Sequence, residues 1–484
     1  MKKIILTCMI VCMTVSGIAQ SQTVGDYRCV GSGNWSDATI WQTLDGTFNW
    51  VATGSQPGPT NNVYIQKSFT VTVDVVASCK DLNLDTASIL NIGSNSVSVN
   101  GKIRAFYSPS SSISLGADAT FYSAQASTTS LQTKMLSTTG LGALKFVGTT
   151  RSINKAGEWG VNSTGNVDVV FALDANATDT VIGFKARSFI FQSGKLVTDS
   201  FMCASGTGKI FTIKNGARFV SSRSGTSKII IANSNSKCDS IVIENGGVLE
   251  LGGQDPRIDC SAFVNNGTVY YSSTSSGAQF TTLLQPSGTN AGSVAITSYK
   301  NLIINGSTAA TSIRKVPAGQ TVSISDTLTM MGRAFFDSTA STGSISYSNP
   351  SNAYLLFDIG SGITQILPST SKEWPSSGGA QNIEIKSGTL KFVTNSGSNR
   401  SFKGNFYLTG GTFTITGFTF TLLNNTNLFR KSATGGLGTS GTFGYVMGTT
   451  ANDTINIYFD VAGSVTENKE LTPSTANCNA NLII

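Results

Sequence analysis

The chain has 484 residues and a formal net charge of +7, from 33 Lys and Arg against 26 Asp and Glu, and it contains no histidine. The missing imidazole excludes His-based triads, His general bases and the commonest metal ligand together. Charged residues are only 12% of the chain, about half the usual share, and no Lys/Arg cluster follows the first residues, so no nucleic acid is expected as a partner.

The first residues read MKKIILTCMIVCMTVSGIAQSQ. Two lysines, an apolar run of about a dozen residues and small residues at Gly17 and Ala19 make a secretory signal peptide, residues 1–19, too short to span a membrane. No later stretch reaches the roughly 18 apolar residues of a span, so the expected location is secreted or outer cell surface, with no membrane span.

Residues 20–103 form a first domain. Trp35, Trp41 and Trp50 lie close together in it, and VYI and TVTVD alternate as strands around a turn. Large aromatics can cover the exposed end of a coil, or stack on sugars, and both readings of this Trp-rich cap stand at this point.

From residue 80 onward one phrase recurs: alternating apolar residues, an Asn-Gly, Ser-Gly or Gly-Gly corner, then alternation again. FTIKNGARFV, SIVIENGGVLEL, AFVNNGTVYY, NIEIKSGTLKF and FYLTGGTFTI are examples, and SYKNLIINGS belongs with them. Period two means strands, not helices. The corner alone permits a hairpin or the bend of a coil. Gly194, Gly216, Gly246 and Gly267 are spaced by 22, 30 and 21 residues, which suits a solenoid better than the 8 to 12 residues of a sandwich. The predicted fold class is therefore all-β, a parallel β-helix (solenoid) body over 104–484 behind the cap, with tandem β-sandwiches as the alternative. The stretch 128–142 is the best helical candidate, although its Thr and Gly content suits a loop equally.

Six cysteines follow the signal: Cys29, Cys79, Cys203, Cys238, Cys260 and Cys478. None has CxxC spacing. In a solenoid Cys238 and Cys260 fall at equivalent places on adjacent turns, which makes them the disulfide candidate, with buried thiols as the plain alternative.

Gly33-Asn34-Trp35, Trp41, Pro59-Thr60-Asn61-Asn62-Val63-Tyr64-Ile65, Val71-Thr72-Val73-Asp74 and Cys79-Lys80-Asp81-Leu82-Asn83-Leu84 resemble the opening of large secreted Bacteroidota surface proteins. There a G8-like N-terminal β-domain leads into a right-handed β-helix of the kind exported by type IX secretion. The resemblance covers about residues 31 to 103 and implies architecture and compartment more than function. It also implies O-glycosylation after Asp, for which Thr86, Thr180, Ser240, Thr327, Ser338 and Thr454 match, though Asp-Ser and Asp-Thr are ordinary turn dipeptides too. The C-terminal sorting domain of such proteins is not seen. The final Leu482-Ile483-Ile484 repeats Leu302-Ile303-Ile304, so the chain is expected to be truncated relative to a longer product.

Right-handed β-helices also host polysaccharide lyases and glycoside hydrolases, which need placed carboxylates. Asp255 and Asp259, with Arg257 between them, are the nearest approach, and alternation puts the three on one face of an extended strand; a solvated corner is the competing reading. Asp174, Asn176 and Asp179 in LDANATDT offer oxygens for Ca2+, but without the glycine and closing acid of an EF-hand loop. No other cofactor is implied. The preferred function is a non-catalytic adhesin or extracellular matrix solenoid that contacts glycans or other cell-surface components, with the glycan-cleaving enzyme as alternative. Tyr270, Trp374, Phe406 and Tyr407 are the aromatics that could stack on sugars, or else pack within rungs.

Overall fold

The computed structural model describes residues 22–484 except 102, 106–111, 116–119, 124–135, 139–141, 149–150, 154–166, 182–183, 199–201, 205–208, 223–228, 232–236, 254, 274–276, 287, 289, 338–341, 369–370, 375–378, 394–399, 417–418, 424, 439–441, 447–453, 462–469, 472–474 and 478. The signal segment, most of the helical candidate, Ser338 and Cys478 lie outside the described residues. Among those described the only helical element is a 3-10 turn, Ala38–Ile40, and Leu136–Thr138 of the helical candidate is a strand. The chain divides into two compact units, which meet in sequence at Ala143 and Leu144.

In the first unit the chain visits three parallel sheets in turn. Tyr27–Cys29, Val63–Ile65, Leu82–Leu84 and Ile103–Ala105 stack on one face. Gly33–Asn34, Thr70–Thr72, Ile89–Gly93, Ser112–Leu115 and Leu136–Thr138 make the second. Ala77–Cys79, Ser96–Val99 and Thr120–Ser123 make the third. Three-residue strands cannot stand alone; each face buries its alternate residues, such as Val63, Val71, Leu82, Leu90 and Val97, against the other two. A hairpin, Trp41–Leu44 with Trp50–Ala52, is added antiparallel to the edge of the first sheet. Trp35 and Trp41 are fully buried, edge to face with centroids 5.3 Å apart, and the Trp41 indole N–H donates to the Trp35 carbonyl at 2.9 Å. These two indoles are internal packing; Trp50 is half-buried.

The second unit resolves the ambiguity of the repeated corner. Strands Cys238–Ile243 and Val248–Leu251, on either side of Gly246, do not pair with each other. Ile241 is matched with Phe211 and Phe263 on neighbouring turns, and Leu249 with Phe219 and Val269, all in parallel. The corner is therefore a solenoid bend. Gly246 supplies it with φ of +81°, which a side chain resists. Gly267 is needed for another reason: a Cβ there would meet the Glu244 and Gly247 carbonyl oxygens at 2.4 Å.

Parallel stacking of this kind excludes tandem sandwiches and gives the β-solenoid expected from the sequence. One inward column runs through Leu196, Phe219, Leu249, Val269, Leu302, Leu328, Leu355, Ile383, Phe406, Leu428, Ile457 and Leu482, each matched with the next. All but Leu482 are essentially inaccessible to water, and each such side chain contributes about 1.5–3 kcal/mol on burial. Earlier in the unit Phe146, Phe171 and Phe191 stack with centroids 5.0 and 5.5 Å apart. Later, Trp374 sits inside a cage of Phe357, Phe392, Phe402, Phe406, Phe413 and Phe420.

Just before that column, Asn382, Asn405, Asn427, Asn456 and Asn481 stand in one file. Each later amide donates Nδ2 to the Oδ1 of the one before, at 2.8, 2.8, 2.9 and 3.0 Å. The sequence intervals are 23, 22, 29 and 25 residues, so excursions of different length return to one register. Asn382 begins the file by donating to the carbonyls of Ser351 and Ala353. Asn427→Ala removes one donor and one acceptor in mid-file and should cost about 1–3 kcal/mol, read as a lower thermal midpoint. Asn481→Ala, at the exposed edge, should change it little.

Candidate interaction surface

The strands that carry the half-buried asparagine file also show an outward aromatic column. Tyr407, Phe429 and Tyr458 occupy one register position on successive turns, with centroids 4.8 and 4.5 Å apart and ring planes within 11° and 14°. Tyr354 stacks against Tyr407 at 6.3 Å. Rings stacked along the solenoid cover each other's faces and turn their edges to solvent. Burial first, then the hydrogen-bonded Tyr354, push the Tyr407 phenol up to about 12, so it remains a donor at neutral pH.

The four aromatics named as sugar-stacking candidates thus separate. Phe406 and Trp374 are core residues and cannot meet a ligand. Tyr407 is a member of the outward stack. Tyr270 is half-buried in strand Thr268–Tyr271, at the register position that leads through later turns to Tyr407, with the Arg218 guanidinium 5.8 Å from its ring centroid. Arg218 in turn holds the buried Glu250 through Nε at 2.6 Å. A concavity of about 410 Å³ lies beside this pair, over the stacked corners at Gly194, Gly216 and Gly246, and Lys195, Thr178 and Asn176 help to line it.

The carboxylate candidates are engaged in holding the chain. Asp255 sits at a bend with φ of +43° and accepts the Thr282 backbone N–H at 3.0 Å. Arg257 donates to the Pro286 carbonyl at 3.2 Å, and burial lowers its pKa against the pull of Asp255 and Asp259. Asp259 is fully buried and accepts from the Asn290 amide at 2.7 Å. Of the two readings of this stretch, one face of an extended strand does not hold, since strand Arg257–Ile258 has only two residues and the bend at Asp255 precedes it; the corner holds, although Asp259 in it is buried rather than solvated. Asp174 and Asn176 are exposed on the turn before Ala177, whose N–H donates to the Asp174 carbonyl; the Asp179 side chain lies outside the described residues. Among the described residues no cluster of three or more acidic or thiol side chains is placed to hold a metal ion.

Cys238 and Cys260 are register partners on adjacent turns, both fully buried thiols. Burial is the main reason that the Cys260 thiol is raised to about 12, so it is not a nucleophile at neutral pH. Of the hydroxyls that follow Asp, Thr180 is exposed and Thr86, Ser240, Thr327 and Thr454 are half-buried. Among the described residues no helix is long and apolar enough to cross a membrane.

Two features of the structure lie outside these candidates. The asparagine file had a signal: each member stands directly before an inward residue, as in Asn405-Phe406 and Asn427-Leu428, and Asn481-Leu482-Ile483-Ile484 repeats Asn301-Leu302-Ile303-Ile304. The other had none. Arg430 and Glu470 form an ion pair at 3.1 Å with side chains 2% and 0% exposed. Glu470 also accepts the Leu437 N–H at 2.7 Å, and Arg430 donates to the carbonyls of Ser432 and Ala433.

No protein-family model, no curated protein and no solved structure matches the chain.

The buried pair gives a clear expectation. Arg430→Met leaves the Glu470 carboxylate in the interior without its cation and should destabilise the unit by about 3–5 kcal/mol, whereas adding Glu470→Leu should recover much of that. Denaturant titration of the two variants decides it.

Proposed function

We propose that the chain is exported and acts outside the cell as a non-catalytic β-solenoid of the adhesin or matrix type, contacting glycans or other cell-surface components along its polar outer columns. The observation that carries the reading is the asparagine file. Each amide in mid-file uses one N–H and one oxygen lone pair along the axis, leaving a second N–H and a second lone pair for an outside partner. These recur at the rung spacing of about 4.8 Å, a repeat suited to an extended polymer of hydroxylated rings. The phenols of Tyr407 and Tyr458 border the same face.

The engagement of Asp255, Arg257 and Asp259 in backbone and side-chain bonds favours a holding role for that corner over acid–base chemistry. Export rests on the leader MKKIILTCMIVCMTVSGIAQ and on the resemblance of residues 31 to 103 to secreted Bacteroidota surface proteins with a G8-like opening. Sugar attachment at the Asp-Thr and Asp-Ser positions belongs to the same reading.

The purified chain should be retarded in native gels cast with soluble polysaccharides and should release no reducing ends or unsaturated products from them. Release of such products would establish the glycan-cleaving alternative instead.

A further inference from the structure

The hairpin of the first unit ends in the loop Asp45-Gly46-Thr47-Phe48-Asn49, which is tightly tied. The Asp45 carboxylate accepts the N–H groups of Thr47 and Asn49, both at 2.9 Å, and the Thr47 hydroxyl at 2.7 Å. The Asn49 amide donates to the Thr47 hydroxyl at 3.0 Å, and the Phe48 N–H donates to the Asp45 carbonyl at 3.0 Å. Within this fixed loop Phe48 has φ of +60°, a conformation that suits glycine and strains a bulky side chain. The loop does contain a glycine, but at Gly46, where the backbone is ordinary and a Cβ would meet nothing.

The Phe48 ring is also 69% exposed, so folding gains little from it. Val51 on the following edge strand is 38% exposed and Val24 is 55% exposed. Val24 lies at the loop end of the hairpin, because the next residue, Gly25, donates its N–H to the carbonyl of Leu44, which pairs with Trp50 next to the loop, at 2.8 Å. A strained backbone and an aromatic ring in water are both unfavourable to the fold, and one substitution would remove both. Such a combination marks a residue retained for an outside contact.

We propose that Phe48 is a sugar-stacking contact, presenting its ring face to one pyranose of an extracellular polysaccharide; this rests on the glycan reading above. Two observations select a sugar over a folded protein partner. The exposed apolar side chains of this region are one ring and two valines, too few to make up the roughly 800 Å² per side of a stable protein interface. The rim is made of the exposed Thr47 hydroxyl and Asn49 amide and the half-buried Asp45 carboxylate, the groups that meet hydroxyls around a flat C–H face.

The test uses the full chain and three probes: soluble xylan in native affinity gels, and insoluble cellulose and chitin in pull-down. Phe48→Gly should unfold at a higher temperature than the parent and yet bind the retained polysaccharide about fivefold more weakly, the range of one aromatic contact. Phe48→Trp should keep the binding. If the parent binds and Phe48→Gly binds equally well, the assignment of Phe48 falls while the glycan reading survives. If Phe48→Gly unfolds at a lower temperature, the ring serves the fold and the assignment falls as well. Failure of the parent to bind any of the three would remove the glycan reading itself, and this inference with it.

Discussion

Every feature of the second unit depends on register between turns. Backbone hydrogen bonds run from each strand to its equivalent one turn earlier and one turn later, so a residue's neighbours are those at its own position in other repeats. Leu428 meets Phe406 and Ile457 rather than anything near it in sequence. Similar side chains therefore stack: apolar residues inward and, over the later turns, asparagine in one half-buried file, with tyrosine and phenylalanine in the outward column two positions on. A single choice of residue type, repeated at irregular intervals, becomes a continuous column.

The asparagine file has a consequence for tolerance. The excursions between successive members differ in length, from 22 to 29 residues, and loop-closure entropy grows only slowly with length. What must be conserved physically is the return to register, not the path taken. A slip by one residue would break the amide-to-amide bonds of the file and would also turn Leu428 or Ile457 outward. The file and the greasy column beside it thus select the same alignment.

Polar groups inside the solenoid obey the same logic. Arg430 and Glu470 are buried together with backbone partners on both sides, and Gly436 leaves room for them, since a Cβ there would lie 2.7 Å from the Glu470 carboxylate. Arg314, also fully buried, donates to the Ser273 carbonyl at 2.7 Å, and burial lowers its pKa to about 10. The Arg430–Glu470 pair adds specificity of position more than net stability.

Alternation, corner residues and repeat length were enough to read strands, a coil and an apolar interior from the amino-acid order, because these are local consequences of side-chain period and backbone sterics. The matching of Cys238 with Cys260 followed from the same period. Which aromatics face water did not, because Phe406 and Tyr407 are adjacent and only the direction of the strand assigns one to the core and the other to the outer stack. Asp255 and Asp259 looked equivalent as letters, yet a positive φ at one and complete burial at the other separate them. The pairing of Arg430 with Glu470 joins residues 40 apart, with coil strands between them, and the exposure of Phe48 depends on a turn geometry that its own residue type disfavours. The sequence by itself determined the period and the polarity of each strand; the tertiary structure alone decided which columns those strands would form, since stacking brings together residues whose separation along the chain carries no rule.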